Sequence, residues 1–117
     1  SYLVPIRGTL EYRSGTYTGD IHKRRPSGHG TLDFHNGDQY VGDFNAGAFH
    51  GHGAYTFASG ALYIGGWQRH KKHGRGTYQL ANRELWILEW RQGLPWQGTG
   101  YAPNGALIAT YTNGLRY

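Results

Sequence analysis

The chain has 117 residues, a net charge of +5 at neutral pH and no cysteine. Without cysteine it can have no disulfide framework, no thiolate nucleophile and no cysteine-based zinc site. Apolar residues make up 38% of the chain and form only short runs, so no transmembrane helix and no signal-peptide core are expected. The net positive charge favours an anionic partner, such as a membrane surface, nucleic acid or an acidic protein. The alternative is that the charge only keeps the chain soluble.

The predicted elements begin with a partial unit over residues 8–16, in which Gly8 to Tyr12 have the pattern of a single strand. Three complete units, a degenerate unit and C-terminal capping strands follow, over residues 17–39, 40–62, 63–85, 86–107 and 108–117. Atypical end units are typical of the caps of a repeat array. We therefore predict that residues 1–117 form a single domain.

The units are defined by an aromatic residue that recurs every 23 residues, at Tyr17, Tyr40, Tyr63 and Trp86. A glycine stands two residues after each of the three tyrosines, and a Gly-x-Gly pair follows late in each unit, at 28–30, 51–53 and 74–76. A fixed period of this length indicates a repeat architecture in which each unit is one supersecondary element.

Each unit is predicted to be a β-hairpin. In the second unit, residues 40–44 and 53–57 alternate aromatic or glycine residues with small or polar ones, and a glycine-containing loop separates the two runs. This period of two predicts strands whose aromatic side chains share one face. A glycine inside a strand suits a close approach, so we expect aromatic rings to settle over these glycines. The predicted fold is all-β: a repeat array of antiparallel β-hairpins forming an elongated, twisted single-layer sheet.

The pattern Tyr-x-Gly-x-Φ…Gly-x-Gly-x-Φ-x-Φ…Gly at a 23-residue period resembles the MORN repeat (membrane occupation and recognition nexus). Units 17–39, 40–62 and 63–85 match it well, and residues 86–107 match it in part, because Leu88 stands where glycine is expected. The resemblance implies antiparallel hairpins joined edge to edge. It does not imply one activity, since MORN arrays serve as protein-interaction modules, dimerisation scaffolds, proposed phospholipid binders and domains of larger enzymes.

The first candidate site is the aromatic face, which a single-layer sheet leaves without an opposite layer. We predict that a partner protein segment binds along it, at Tyr40, Phe44, Tyr55, Phe57, Tyr63, Trp67, Tyr78, Trp86, Trp90 and Trp96. The last three are the expected exposed anchors, because they lie where the repeat degenerates. The alternative is that the rings pack against one another and the glycines, and simply form the core.

The second candidate site is the set of hairpin loops. The loops of the first and third units are rich in cations, and the equivalent loop of the second unit is neutral and carries a phenylalanine. Loops aligned along one edge would bind anionic phospholipids through Lys23, Arg24, Arg25, Phe49, Lys71 and Lys72. The alternative is a solvated edge that deters aggregation.

The histidines and acids predict no catalytic or metal site. His29 and His52 share one unit position, and His50 and His73 share another, but equivalent positions two strands apart lie roughly 10 Å from each other, which is wide for one ion. The sequence shows no spaced acidic pair, no nucleophile motif and no phosphate loop. We therefore expect no enzyme activity, no metal and no cofactor, and we do not expect nucleic-acid binding.

The sequence thus predicts a non-catalytic scaffold that binds a partner protein segment or pairs with itself. Two alternatives stay open: a peripheral membrane module that binds anionic phospholipids, and an accessory domain of a larger enzyme. We expect a cytoplasmic location, with peripheral attachment to a membrane as a variant, and the absence of cysteine is also compatible with a secreted or periplasmic protein.

Overall fold

A computed structural model describes residues 6–117 of the chain. These residues form eleven β-strands and no helix, and therefore contain no helix that could cross a membrane. The strands are β1 (Ile6–Glu11), β2 (Gly15–His22), β3 (Arg25–Phe34), β4 (Gln39–Asn45), β5 (Ala48–Thr56), β6 (Leu62–Gln68), β7 (Lys71–Gln79), β8 (Leu85–Arg91), β9 (Leu94–Tyr101), β10 (Leu107–Thr112) and β11 (Leu115–Arg116). They pair antiparallel in chain order within one sheet, which confirms the predicted array of hairpins.

The sheet is open and elongated. Within the described residues, β1 and β11 form its two edges and do not pair with each other. Eleven strands spaced by about 4.8 Å span about 48 Å, and the molecule measures 51 × 30 × 20 Å. The radius of gyration is 16.0 Å, above the value of about 13 Å expected for a compact chain of this length. The core must therefore form on the face of one sheet and not between two layers.

The strand register places equivalent unit positions in rows across the sheet. Tyr55 pairs with Tyr40 on one side and with Tyr63 on the other, so aromatic residues form one row. A second row consists of glycines from seven consecutive strands: Gly8, Gly19, Gly30, Gly42, Gly53, Gly65 and Gly76. The two rows are two residues apart along each strand and therefore share one face, which we call the aromatic face.

Each unit tyrosine lies over the glycine row. Tyr40 is fully buried, and a Cβ atom added to Gly53 would overlap its ring. The Tyr40 hydroxyl donates a hydrogen bond of 2.7 Å to the carbonyl oxygen of Asp43. Tyr17 and Tyr63 repeat this arrangement in the neighbouring units. The expected packing of rings over strand glycines is confirmed, and it explains why the tyrosine and the Gly-x-Gly pair recur together.

The turns within the hairpins are shorter than predicted. β4 and β5 leave only Ala46 and Gly47 between them, where the sequence suggested a loop over residues 45–52. Both residues have positive φ angles, 48° and 89°, as a type I′ turn requires. The equivalent turns are Lys23–Arg24, Arg69–His70, Gln92–Gly93 and Asn113–Gly114. Since successive strands alternate in direction, all five turns lie along one edge of the array, which we call the tip edge.

We expect Gly53→Ala to lower the free energy of unfolding by about 2 kcal/mol or more, because the new methyl group overlaps the Tyr40 ring. The matched control is Gly8→Ala, in the same glycine row, where the methyl group would meet only the end of the Ile21 side chain at 3.3 Å. That control should lower the free energy of unfolding by less than about 1 kcal/mol. Urea unfolding followed by tryptophan fluorescence measures both, and equal losses would contradict the packing role of the glycine row.

Candidate functional site

Aromatic side chains cover the aromatic face and form a continuous surface that we call the aromatic groove. Its rings belong to Tyr17, Phe34, Tyr40, Phe44, Phe49, Tyr55, Phe57, Tyr63, Trp67, Tyr78, Trp86, Trp90 and Tyr111. Many of them meet edge to face, as Trp67 does with Tyr40 at a centroid distance of 5.5 Å and with Tyr63 at 5.1 Å. Such pairs add about 0.5–1.5 kcal/mol each beyond the burial of area. The groove surface is therefore held in place by ring–ring contacts.

The groove has a buried floor and a half-buried rim. The floor residues are at most 7% exposed: Tyr17, Tyr40, Phe44, Phe49, Tyr63, Trp67 and Trp90. The rim residues are half-buried: Tyr55, Phe57, Tyr78 and Trp86. The floor thus forms the core, in line with the alternative interpretation of the aromatic pattern, whereas the rim retains surface that a ligand can contact.

Two hollows open on this face, and the first lies toward the N-terminal end of the array. It has a volume of about 550 Å³ and is lined mainly by apolar groups, among them Phe34, Phe44 and Phe49. Arg25 and His70, which adjoin or belong to tip turns, also line it. We call it the N-terminal hollow.

The second hollow, which we call the C-terminal hollow, has a volume of about 290 Å³. Tyr78 and Trp86 contribute lining surface from the rim, and Trp90 contributes from the floor. Tyr111 and Arg116 line its far side. This hollow is therefore built from the degenerate unit and the capping strands together.

Leu88 accounts for the different shape of the fourth unit. It pairs with Gly76 and Gly98, so it stands in the glycine row, and its side chain is buried there. The space that a tyrosine ring takes in the other units is thereby filled. The Trp86 ring instead lies over Gly100, where an added Cβ would overlap it. Trp86 consequently stays half-buried and forms a wall of the C-terminal hollow.

Lys72 lies in the groove, so its predicted placement in a hairpin loop is wrong. It is the second residue of β7 and pairs with Trp67. Its Nζ atom lies 5.4 Å from the ring centroid of Tyr63, 5.1 Å from that of Tyr78 and 5.2 Å from that of Trp90. Burial lowers the pKa of the Lys72 ammonium below its ordinary value. The side chain therefore covers three aromatic rings and does not extend from the tip edge.

The prediction that Phe49 lies in an exposed loop is also wrong. Phe49 belongs to β5, is 7% exposed, and stacks on Tyr40 with a centroid distance of 3.9 Å. Four of the six predicted lipid-binding residues remain exposed in or next to the tip turns: Lys23, Arg24, Arg25 and Lys71. The tip edge is thus basic, without the apolar residue that was expected between the cations.

Trp96 differs from its predicted place as well. It occupies a bulge in β9, between the residues that pair with Glu89 and Trp90, and it lines neither hollow. The Arg91 guanidinium lies 4.1 Å from its ring centroid, and Arg91 follows Trp90 and so points to the opposite face. Of the three expected exposed anchors, Trp96 is outside the groove, Trp90 is in its floor, and Trp86 alone lies at its rim.

Tyr111 and Arg116 belong to the groove although the sequence did not indicate them. They form a cross-strand pair between β10 and β11. The Tyr111 ring lies 6.1 Å from the Trp86 ring, and the Arg116 guanidinium carbon lies 5.2 Å from it. The alternation of residues in the C-terminal strands was the only available signal, and it carried no 23-residue repeat to align with the other units.

The acids of the opposite face have structural contacts. Asp43 accepts a hydrogen bond of 3.0 Å from the His52 amide, and Asp20 accepts one of 2.9 Å from the His29 amide. These bonds span the register shifts within the first two complete hairpins. Residues 6–117 contain no group of three or more histidine or acidic side chains placed to hold a metal ion.

Taken together, the fold and the groove define a β-hairpin repeat array with one aromatic face. The family model of the MORN repeat matches residues 17–39, 40–62 and 63–84, which is more than half of the chain. The chain therefore belongs to the MORN repeat family, as the 23-residue pattern predicted. The MORN repeat is a non-catalytic repeat known from scaffolds that bind proteins or associate with membranes. A search of curated proteins gives no match to this chain.

Trp67 and Trp90 share one unit position but differ in hydrogen bonding, which gives a stability prediction. Trp67 Nε1 donates to the Gly53 carbonyl oxygen at 3.1 Å, whereas Trp90 Nε1 is buried and has no partner within the described residues. We expect Trp67→Phe to cost about 1 kcal/mol more than Trp90→Phe, because only the first change removes a hydrogen bond. Urea unfolding followed by circular dichroism measures the difference, and the reverse order would contradict it.

The buried tyrosines predict a loss of stability at alkaline pH. Burial raises the pKa of Tyr63 to about 12, and burial with the nearby Asp20 carboxylate raises the pKa of Tyr17 to about 12. An unfolded tyrosine loses its proton near pH ~10, so above this pH the folded state binds more protons than the unfolded state. The contribution of these two tyrosines to the free energy of unfolding is therefore complete below about pH 10. It declines as the pH rises to about 12.

Urea unfolding at stepped pH values through this window tests the prediction. Tyr63→Phe should show a shallower decline of the free energy of unfolding than the wild type, because one raised pKa is removed. The control Tyr117→Phe changes a tyrosine that is 72% exposed and should follow the wild-type slope. A decline in Tyr63→Phe as steep as that of the wild type would contradict the assignment.

Proposed function

We propose that this chain is a non-catalytic scaffold that binds a segment of a partner protein in the aromatic groove. The observation that carries the proposal is the open aromatic face. The half-buried rings of Tyr55, Phe57, Tyr78 and Trp86 border this face, and no other element of residues 6–117 covers it, because all strands belong to one sheet. Exposed aromatic patches of this kind are typical of interfaces.

The groove is suited to binding because its rings are already held in place. A ring fixed by its neighbours loses little conformational freedom when a ligand arrives, so more of the contact energy appears as affinity. The two hollows, of about 550 and 290 Å³, resemble small ligand pockets in size. Two separate hollows along one face favour an extended segment that places one apolar group in each of them.

The alternative occupant is an anionic membrane surface at the tip edge. It is favoured by the exposed cations Lys23, Arg24, Arg25 and Lys71, each of which would add about 1 kcal/mol of attraction next to such a surface. Against it, Phe49 is buried and Lys72 lies over aromatic rings. Attachment would rest on these charges and on the exposed Leu94 and Leu115 beside the later tip turns, whereas the groove offers four rim rings and two hollows, so the groove is the better supported site.

Selection from a random peptide library tests groove binding with a matched pair of variants. Trp86 and Ile87 are neighbours in β8 whose side chains lie on opposite faces. Peptides selected on the wild type should bind Trp86→Ala at least about tenfold more weakly, because a rim ring is lost. Ile87→Ala, in which an exposed side chain is removed from the opposite face, should bind them unchanged.

Three other results would redirect the proposal. Peptides that bind Trp86→Ala as tightly as the wild type would place the site outside the groove. A wild-type dimer in light scattering that is lost in Trp86→Ala would identify a second copy of this chain as the occupant. Flotation with vesicles that contain phosphatidylserine, abolished when Lys23 and Arg24 are changed to glutamine, would favour the membrane alternative. Thermal unfolding of each variant confirms that it is folded.

A further inference from the structure

We propose that the C-terminal part of the aromatic groove selects an acidic partner segment, and that Lys72 is the residue that determines this selectivity. The inference rests on the proposed groove binding and names the chemistry of the partner. It follows from the unit position of Lys72, from its surroundings, and from the lack of a carboxylate partner for Lys72 and the nearby Arg116 within the described residues.

The unit position of Lys72 is otherwise apolar. At intervals of 23 residues, the same position holds Pro26, Phe49 and Pro95. Each of these residues follows a tip turn and pairs with the end of the preceding strand, as Phe49 does with Phe44 and Lys72 does with Trp67. The first, second and fourth units thus place an apolar side chain against the groove at this position, whereas the third unit places a cation there.

The surroundings of Lys72 supply rings but no anion. Its Nζ atom lies between 5.1 and 5.4 Å from the ring centroids of Tyr63, Tyr78 and Trp90. Contacts of this kind favour the charged ammonium. No carboxylate of residues 6–117 forms an ion pair with it. A half-buried cation has lost part of its hydration, and a carboxylate from a partner would replace that lost interaction.

A second cation borders the C-terminal hollow, which shares Tyr78 and Trp90 with the surroundings of Lys72. Arg116 lines the C-terminal hollow with its guanidinium carbon 5.2 Å from the Trp86 ring centroid, and it too forms no ion pair within the described residues. One acid, Glu84, also lines this hollow, where it accepts hydrogen bonds from Trp86 Nε1 at 3.2 Å and from Asn82 Nδ2 at 3.1 Å. Glu84 is thus engaged, while both cations are available.

The arginine–carboxylate ion pair of the described residues lies on the opposite face, as does a histidine–carboxylate contact that is an ion pair only when the histidine is protonated. Arg7 pairs with Asp20 at 2.7 Å, and His29 Nδ1 lies 3.6 Å from an Asp43 oxygen. Each of these acids is one residue away from a glycine of the aromatic face and therefore points away from the groove. On the groove side, Lys72 and Arg116 have no carboxylate partner within the described residues. Two such cations near the C-terminal hollow favour a segment that carries carboxylates together with an apolar group for the hollow.

A lipid surface fits these observations less well. Lys72 lies over three rings inside the groove and not in a tip turn, so a flat surface that contacts the tip edge would not meet its ammonium directly. A narrow extended chain can follow the groove and reach it. The occupant we infer is therefore an acidic peptide segment.

Peptide selection with charge variants tests the inference. A random peptide library is panned in parallel on the wild type, on Lys72→Met and on the matched control Lys71→Met, whose exposed lysine precedes Lys72 in the same strand. We expect the wild type and Lys71→Met to enrich peptides that contain Asp or Glu. Lys72→Met should lose this enrichment while it retains apolar positions. Since the unit position is apolar elsewhere, Lys72→Met should melt at the wild-type temperature or above it.

A second measurement varies the peptide as well as the protein. A selected peptide and its copy with Gln in place of Glu are titrated against the wild type, and the copy should bind about tenfold more weakly, because it lacks the charge-assisted hydrogen bond. On Lys72→Met the two peptides should bind equally. Equal affinities on the wild type, or the same loss of acid preference in Lys71→Met, would overturn the role of Lys72.

Failure of this inference can be distinguished from failure of the groove proposal. Peptides without acid enrichment that still lose affinity in Trp86→Ala would overturn the acidic selectivity and leave groove binding in place. Failure to enrich any peptide would overturn both. Flotation with phosphatidylserine vesicles that Lys72→Met abolishes would assign the lysine to a lipid headgroup, which would also overturn the inference.

Discussion

The structure depends on the packing of a tyrosine ring against a pair of glycines on one face of a sheet. A single-layer sheet has no second layer to bury its side chains, so the core must come from groups that lie flat against the backbone. Tyr40 does so because Gly42 and Gly53 present no side chain beneath it, and its hydroxyl is satisfied by the carbonyl of Asp43. Any side chain at Gly53 would lift the ring, and with it the neighbours that pack on it.

This constraint also explains where the groove changes character. The three regular units bury their tyrosines completely, and so they contribute a floor but little binding surface from that position. In the fourth unit Leu88 fills the space on the glycine row, and Trp86 remains half-buried beside the C-terminal hollow. The departure from the repeat, which weakens the match to the family pattern, is therefore what provides a candidate site.

The two sides of the sheet have different chemistry because strands alternate their side chains. Acids such as Asp20 and Asp43 face away from the groove, where both accept backbone hydrogen bonds and Asp20 pairs with Arg7. The groove side holds rings together with Lys72 and Arg116, and Arg25 and Glu84 line its two hollows. Lys72 gives the third unit a cation at a position that is apolar in the others. A half-buried charge without a counterion lowers the stability of the fold, so a gain in binding would explain its presence. Recognition of a carboxylate would be such a gain.

The sequence by itself determined the repeat, the hairpin and the shared face of the aromatic residues. These features follow from local rules: a 23-residue period, residue types that alternate with a period of two along each strand, and glycines that recur with Tyr17, Tyr40 and Tyr63. Only the tertiary structure decided which aromatic rings are buried and where Phe49, Lys72 and Trp96 lie. The hairpin turns contract to two residues, and this shifts residues assigned to loops into strands. Burial in a single-layer sheet depends on contacts between units, and Arg116 reaches Trp86 only because the capping strands continue the sheet, so no pattern within one unit could reveal it.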